Sequence, residues 1–398
     1  MKLFLKRTYS LLEIADTEHV SKQKISHLIA ELVEQSLTQR SAMGIFSNNA
    51  TLLAQKIVEN NSETGLHYIA KDRKSYWKMV RSAGGGGLLT ALTVFIKNFL
   101  GTLGLNQFFY GFFSTINYAG SFLFIQFAGF TLATKQPAAT ASALAKKVEL
   151  IQGRASVEAL TDEIVFLTRT QIAAVFGNLS AVIPTVLLVN FIYYFFHGSW
   201  IFSQSSAHYT LHSTDILGPS IIYAAFTGFL LWLSSVIAGW AGNWYTFNQL
   251  SYLIVHNKKI KTVISEDGAK RLASFLDHGV TGIAGSISLG FFLAFVPELL
   301  KFVGIPLEVR HVTLSTGALA AAMPTLGVDA LQSAEFARAA IGIIAIGFLN
   351  LSVSFFLALT VALRAKKISS HRKALIYGSV LRRFYHRPVS FFIPKSST

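Results

Sequence analysis

The chain has no cysteine. That excludes disulfides, cysteine nucleophiles and thiolate metal sites, and leaves no thiol from which to read a redox compartment. Charge is scarce too: Asp, Glu, Lys and Arg make up 14% of 398 residues, against about 25% in soluble domains. Acidic residues are the scarcer kind, 20 against 35 Lys and Arg, and residues 364–398 contain none. There is no His-Glu-x-x-His, no Gly-x-Ser-x-Gly and no glycine loop ending in Gly-Lys-Ser/Thr, so the usual warrants for metalloprotease, serine hydrolase and nucleotide chemistry are missing. The first residues do not read as a signal peptide, because Lys6 and Arg7 break the apolar stretch and no small-residue cleavage site follows.

What the chain has is apolar bulk, 52% hydrophobic with 33 phenylalanines, bunched into runs. Residues 339–363 carry no charge and are followed at once by a basic tail. A run of about 20–25 apolar residues crosses a bilayer as a helix, and a basic flank marks the cytoplasmic end. The same pattern recurs upstream and predicts six spans, at 88–105, 108–133, 172–196, 216–245, 279–303 and 339–363. The fold class is therefore all-α, a polytopic membrane protein. A small, soluble, basic helical region (1–83) precedes the membrane domain (84–363), and a basic cytoplasmic tail (364–398) follows it. The glycines at 84–87 read as a break, a hinge where the chain enters the membrane.

Loop charge alternates. The N-terminal region, loops 134–171 and 246–278, and the tail are basic, whereas 197–215 has neither Lys nor Arg. Six spans with both termini cytoplasmic satisfy every loop. Residues 304–337 then lie outside, and the apolar stretch 312–328, interrupted by Pro324, is expected to re-enter or to lie at the interface. Small residues four apart, Gly282-Ser286-Gly290 and Ser234-Ala238-Gly242, predict close helix packing, as does the stripe Asn350-Ser354-Ala358-Ala362.

Polar groups inside spans are the functional candidates. Lys97 is central in its span and Glu298 lies near the outer end of the fifth. The two either pair, line a polar cavity, or sit separately at interfaces with Lys97 snorkelling. Asn117, Gln126 and Asn350 complete the intramembrane set. On the basic face, Lys366, Lys367, Arg372, Lys373, Arg382 and Arg383 are the candidates for contact with lipid or nucleic acid. His208 and His212 would share a helical face near Asp215. The segment is Ser-rich, however, and no metal, cofactor or catalytic residue is assigned.

Longer motifs carry a resemblance. They are TGLHYIAKDRKSYWKM (64–79), GGGGLLT (84–90), NYAGSFLFIQ (117–126), TLATKQPAATA (131–141), GIPLEVRHVTLSTG (304–317) and NLSVSFFLALTVALRAKK (350–367). Over about residues 60–367 the chain resembles the bacterial site-specific recombinase transmembrane protein family, as its membrane part with a shortened front. The resemblance implies an inner-membrane location and transfers no catalytic residue. A tyrosine recombinase needs a Tyr nucleophile with Arg and His groups on the scissile phosphate. Its His-x-x-Arg spacing is missing, and Tyr385 with Arg382, Arg383, His386 and Arg387 sits in a short tail.

Three functions follow. The first is a non-catalytic membrane protein whose basic cytoplasmic face contacts anionic lipid or a protein partner. The second is a transporter or lipid-handling protein using the intramembrane polar residues. The third is a membrane-anchored DNA recombinase.

Overall fold

A computed structural model describes residues 72–133, 154–365 and 370–394, and those residues contain no β-strand. Ten helices follow one another: α1 (Arg73–Thr102), α2 (Gln107–Phe127), α3 (Arg154–His197), α4 (Gln204–Ser213), α5 (Ser220–Phe247), α6 (Leu250–His256), α7 (Lys258–Phe302), α8 (Val312–Leu326), α9 (Ala334–Ala365) and α10 (Ser370–His386). Short 3-10 turns occupy Val328–Gln332 and Pro388–Phe391.

Local chemistry sets the starts. Asp72 and Ser75 form a reciprocal capping box on α1, at 2.7 and 3.2 Å. Asn106 caps α2, Ser203 caps α4 and Asn257 caps α7. Ser265, at φ 66°, breaks α7 near its start, and its Oγ accepts the Gly268 N–H to begin the helix anew.

Six of these helices, α1, α2, α3, α5, α7 and α9, are long and apolar enough to cross a membrane. Their outward surfaces carry Phe108, Phe124, Phe191, Phe348 and Phe356, all exposed. Bare apolar surface on this scale would be costly in water and is the natural face toward lipid. The fold is that of a multi-pass α-helical membrane protein.

Helix bounds differ instructively from the predicted spans. α3 and α7 run on well beyond the apolar stretches at the basic end of the bundle, because a helix does not stop where hydrophobicity does. α2 stops at Phe127 rather than running to 133, and the Thr131 N–H bonds instead to the Ser82 carbonyl of α1 at 3.1 Å. The break expected at 84–87 is absent, and all four glycines lie inside α1. They are a packing face: a Cβ on Gly87 would fall on the Asn178 carbonyl of α3, and one on Gly86 on the Thr131 carbonyl. In lipid, missing side chains let backbones meet, and that close approach outweighs the weak helix propensity of glycine. The helices expected within residues 1–71 lie outside the described residues.

Other glycines, Gly290 of the predicted stripe and Gly228 outside any stripe, do the same elsewhere. A Cβ on Gly290 would sit 2.5 Å from the Ala119 N of α2, and one on Gly228 of α5 2.9 Å from the Leu349 carbonyl of α9. α1 packs along α3, α2 along α7, and α5 between α7 and α9.

α8 is too short to span, about 22 Å at 1.5 Å per residue. After α7 the chain passes the Tyr223 hydroxyl, which donates to the Pro306 carbonyl at 2.8 Å, and turns into the bundle. The Val312 N–H then bonds to Asn350 Oδ1 (3.0 Å), midway along α9, and Thr313 Oγ1 donates to Asn178 Oδ1 of α3 (3.3 Å). From this depth α8 climbs back. The Ala321 carbonyl accepts from Asn190 (2.8 Å), and Thr325 Oγ1 donates to the Phe202 carbonyl (3.0 Å) in the connection between α3 and α4. α8 is thus a half-helix that begins in the interior and ends where it came from, with Gly317 wedged against Val182 of α3 and Val94 of α1.

Candidate functional site

The two ends of the bundle differ. One is basic: Lys258, Lys259 and Lys261 open α7, and α10 lies against the start of α3 through Ser379 and Thr161 (2.9 Å) and through Arg383 and Asp162. The other, the far end, carries α4, residues 303–311 and the exit of α8. There a cavity of about 560 Å³ opens between α1, α2, α4, α7 and α8.

Its charged lining comes from three places. α1 supplies Lys97. α7 supplies Glu298 and Lys301, brought close to α2 because a Cβ on Gly111 would already be 3.3 Å from Glu298. The re-entering chain supplies Glu308, Arg310 and His311. Most of these charges have partners. Arg310 Nη2 binds Glu308 Oε2 at 2.7 Å, its Nε donates to the Ser213 carbonyl at 2.7 Å, and its guanidinium lies 5.4 Å from the Tyr223 ring centroid. Glu308 also accepts from the Tyr209 hydroxyl at 2.9 Å. Lys301 reaches Glu298 at 3.2 Å and Glu308 at 3.9 Å.

Lys97 does not pair with Glu298; that carboxylate is taken by Lys301. Lys97 Nζ instead rests 5.5 Å from the centroid of the Tyr118 ring, a cation–π contact. Among the described residues no carboxylate lies within ion-pair distance of it. On α2, one turn from Tyr118, Ser114 is 1% exposed and lines the same cavity, and its Oγ has no hydrogen-bond partner among the described residues.

The other intramembrane candidates lie elsewhere and hold helices together. Asn117 donates to the Thr93 carbonyl at 3.0 Å. Gln126 accepts from Ser286 at 2.9 Å. Asn350 receives Val312 and donates to the carbonyls of Ala224 (3.0 Å) and Arg310 (2.9 Å). The structure therefore gathers Lys97 and Glu298 in one cavity and leaves Asn117, Gln126 and Asn350 outside its lining. Sequence reasoning missed Ser114, Lys301, Glu308, Arg310 and His311. The signal available was a Glu-x-Arg-His cluster just before an apolar stretch, which a loop assignment masked.

On the basic face, Lys366 and Lys367 lie outside the described residues, and Arg372 and Lys373 lie on α10. Arg382 is exposed, whereas Arg383 is engaged with Asp162. Tyr385 is 84% exposed. His208 and His212 do share a face of α4, ring centroids 6.4 Å apart, but Asp215 is bound to Arg338 at 2.8 Å. Among the described residues no group of three His, Asp or Glu could hold a metal ion.

A family model described as site-specific recombinase matches residues 1–394. The chain belongs to that family. No curated protein and no solved structure matches it. Membership thus covers both the basic end and the far-end cavity, while the resemblance first visible in the motifs stopped near residue 367. The charged residues of GIPLEVRHVTLSTG, one of those motifs, are the ones that line the cavity.

Proposed function

We propose that the protein is a non-catalytic integral membrane protein of the bacterial inner membrane, whose basic end faces the cytoplasm and contacts anionic lipid. The observation that carries this reading is α10. Leu381 and Tyr385 are exposed beside Arg382 and Arg387, on a helix tied to α3 by Ser379 and Arg383. An amphipathic helix with an exposed leucine and tyrosine beside arginines suits the headgroup boundary of an anionic leaflet.

Stability in nanodiscs tests it. Phosphatidylglycerol should raise the Tm over phosphatidylcholine, and Arg382→Gln with Arg387→Gln should remove at least half of that difference. A lipid difference that the pair leaves intact would refute the contact. Action on DNA would instead leave a covalent adduct that Tyr385→Phe abolishes; salt-sensitive binding alone would be no sign of it, since any basic surface binds duplex that way.

A second reading, solute passage, draws support from α8. Discontinuous half-helices beginning at mid-depth are a recurring device of transporters for meeting charged solutes. In proteoliposomes, Lys97→Leu would abolish flux while the protein still inserts.

A further inference from the structure

We propose that the far-end cavity is a binding site for a small organic monocarboxylate drawn from the aqueous phase, with Lys97 as its charged anchor. The inference is independent of the lipid contact at the other end; it deepens the solute reading without requiring passage.

The charge count sets the sign. Among the described residues, Lys97, Lys301 and Arg310 face the cavity against Glu298 and Glu308, which leaves one cation in excess. The ion pairs place that excess on Lys97, since Lys301 and Arg310 are held by the two glutamates. The first turn of α8 adds to it. Residues 311, 314, 315 and 318 line the cavity, so the positive end of the helix dipole borders it. Asn350 takes the Val312 N–H, and the amides of Thr313 and Leu314 follow in the same turn.

The independent pointer to a ligand is Ser114, a buried hydroxyl on the cavity wall with no partner among the described residues. A buried donor left without a partner is destabilising, and an oxyanion would satisfy it. Lys97 lies over Tyr118, one helical turn from Ser114, and all three line the cavity.

The same features choose the class. A singly charged group balances a single excess cation; a phosphate dianion would carry a surplus charge toward Glu298 and Glu308. Val94, Ile201, Leu293, Leu314 and Ala318 line the remainder, so an apolar body beyond the carboxylate has somewhere to go.

The missing cysteines make the test direct. Gly101 lines the cavity and has no atom of the described residues within 4 Å of a Cβ built on it, so Gly101→Cys gives a single thiol there. With the purified full chain, the rates of reaction with an anionic sulfonatoethyl and a cationic trimethylammonium-ethyl thiosulfonate are compared, each normalised to a free thiol. The anionic reagent should be favoured roughly tenfold, and butyrate or benzoate at constant ionic strength should slow both reagents while chloride does not. Lys97→Gln should erase the preference and the protection together, and Lys97→Arg should keep them. Equal rates, a preference untouched by Lys97→Gln, or protection by chloride equal to that by butyrate would overturn the proposal. Protection by phosphatidylglycerol in nanodiscs but not by either carboxylate would overturn it too, because the ligand would then be a headgroup.

Discussion

Asn350 Oδ1 accepts the N–H of Val312 at 3.0 Å, so the first amide of the half-helix α8 is capped by a side chain from the middle of a spanning helix. The same amide group donates to the carbonyls of Ala224 and Arg310. One side chain thereby satisfies three backbone groups where water cannot, and it joins α5, α8 and α9.

Asn350→Leu should therefore destabilise the fold by about 2 kcal/mol, taking three interhelical bonds at the modest value such bonds have within membranes. Asn350→Asp keeps the acceptor for Val312 but turns a carboxylate oxygen toward the carbonyls of Ala224 and Arg310 and buries a charge, so it should lose at least as much. Reversible unfolding in mixed micelles reads both, and a leucine variant as stable as the parent would remove Asn350 from this role.

The two glycines Gly87 and Gly101 lie on one helix and should differ in their tolerance of a side chain. A side chain at Gly87 meets the Asn178 carbonyl, whereas one at Gly101 meets nothing within 4 Å. Gly87→Val should cost about 1–3 kcal/mol or prevent folding, as overpacking does. Gly101→Val should stay within about 0.5 kcal/mol of the parent. Thermal unfolding in detergent separates them, and equal losses would show that α1 does not pack through its glycine run.

Acid should loosen the far end. The Leu217 N–H, 2.9 Å from Oδ1 of Asp215, and Arg338, 2.8 Å from Oδ2, hold that carboxyl below the usual carboxylate range. A depressed folded-state pKa means stability that is present above the ordinary value near 4 and is lost as pH falls through the lower, folded value. The Tm measured from pH 7 down to pH 3 should therefore drop below about pH 4, and Asp215→Asn should flatten that part of the curve. A parent and variant with parallel profiles would show that Asp215 plays no part.

Much of the architecture was legible from residues alone, for a physical reason. Bilayer thickness converts directly into a length of apolar chain, so the six spans at the core of α1, α2, α3, α5, α7 and α9 could be counted from the sequence. Asn350 was legible as part of a stripe that packs helices together, because small and polar residues in an apolar run let helices meet. The glycines at 84–87 were not legible as they stand. The same residues that break a helix in water pack a helix in lipid, and only the neighbouring backbone of α3 decides which.

The sequence by itself determined that this chain is a helical membrane protein with one strongly basic end, since span length and charge are properties of the chain taken in order. The cavity was decided by tertiary structure alone. Lys97 and Ser114 come from the first two helices and Glu298 and Arg310 from a stretch far along the chain, and nothing in the spacing says that the two stretches meet. The pairing of Lys301 with both glutamates, which leaves Lys97 as the spare cation, depends on where α7 and the re-entering strand of chain come to rest. Distances of a few ångströms settle which charges cancel, and those exist only once the helices have packed.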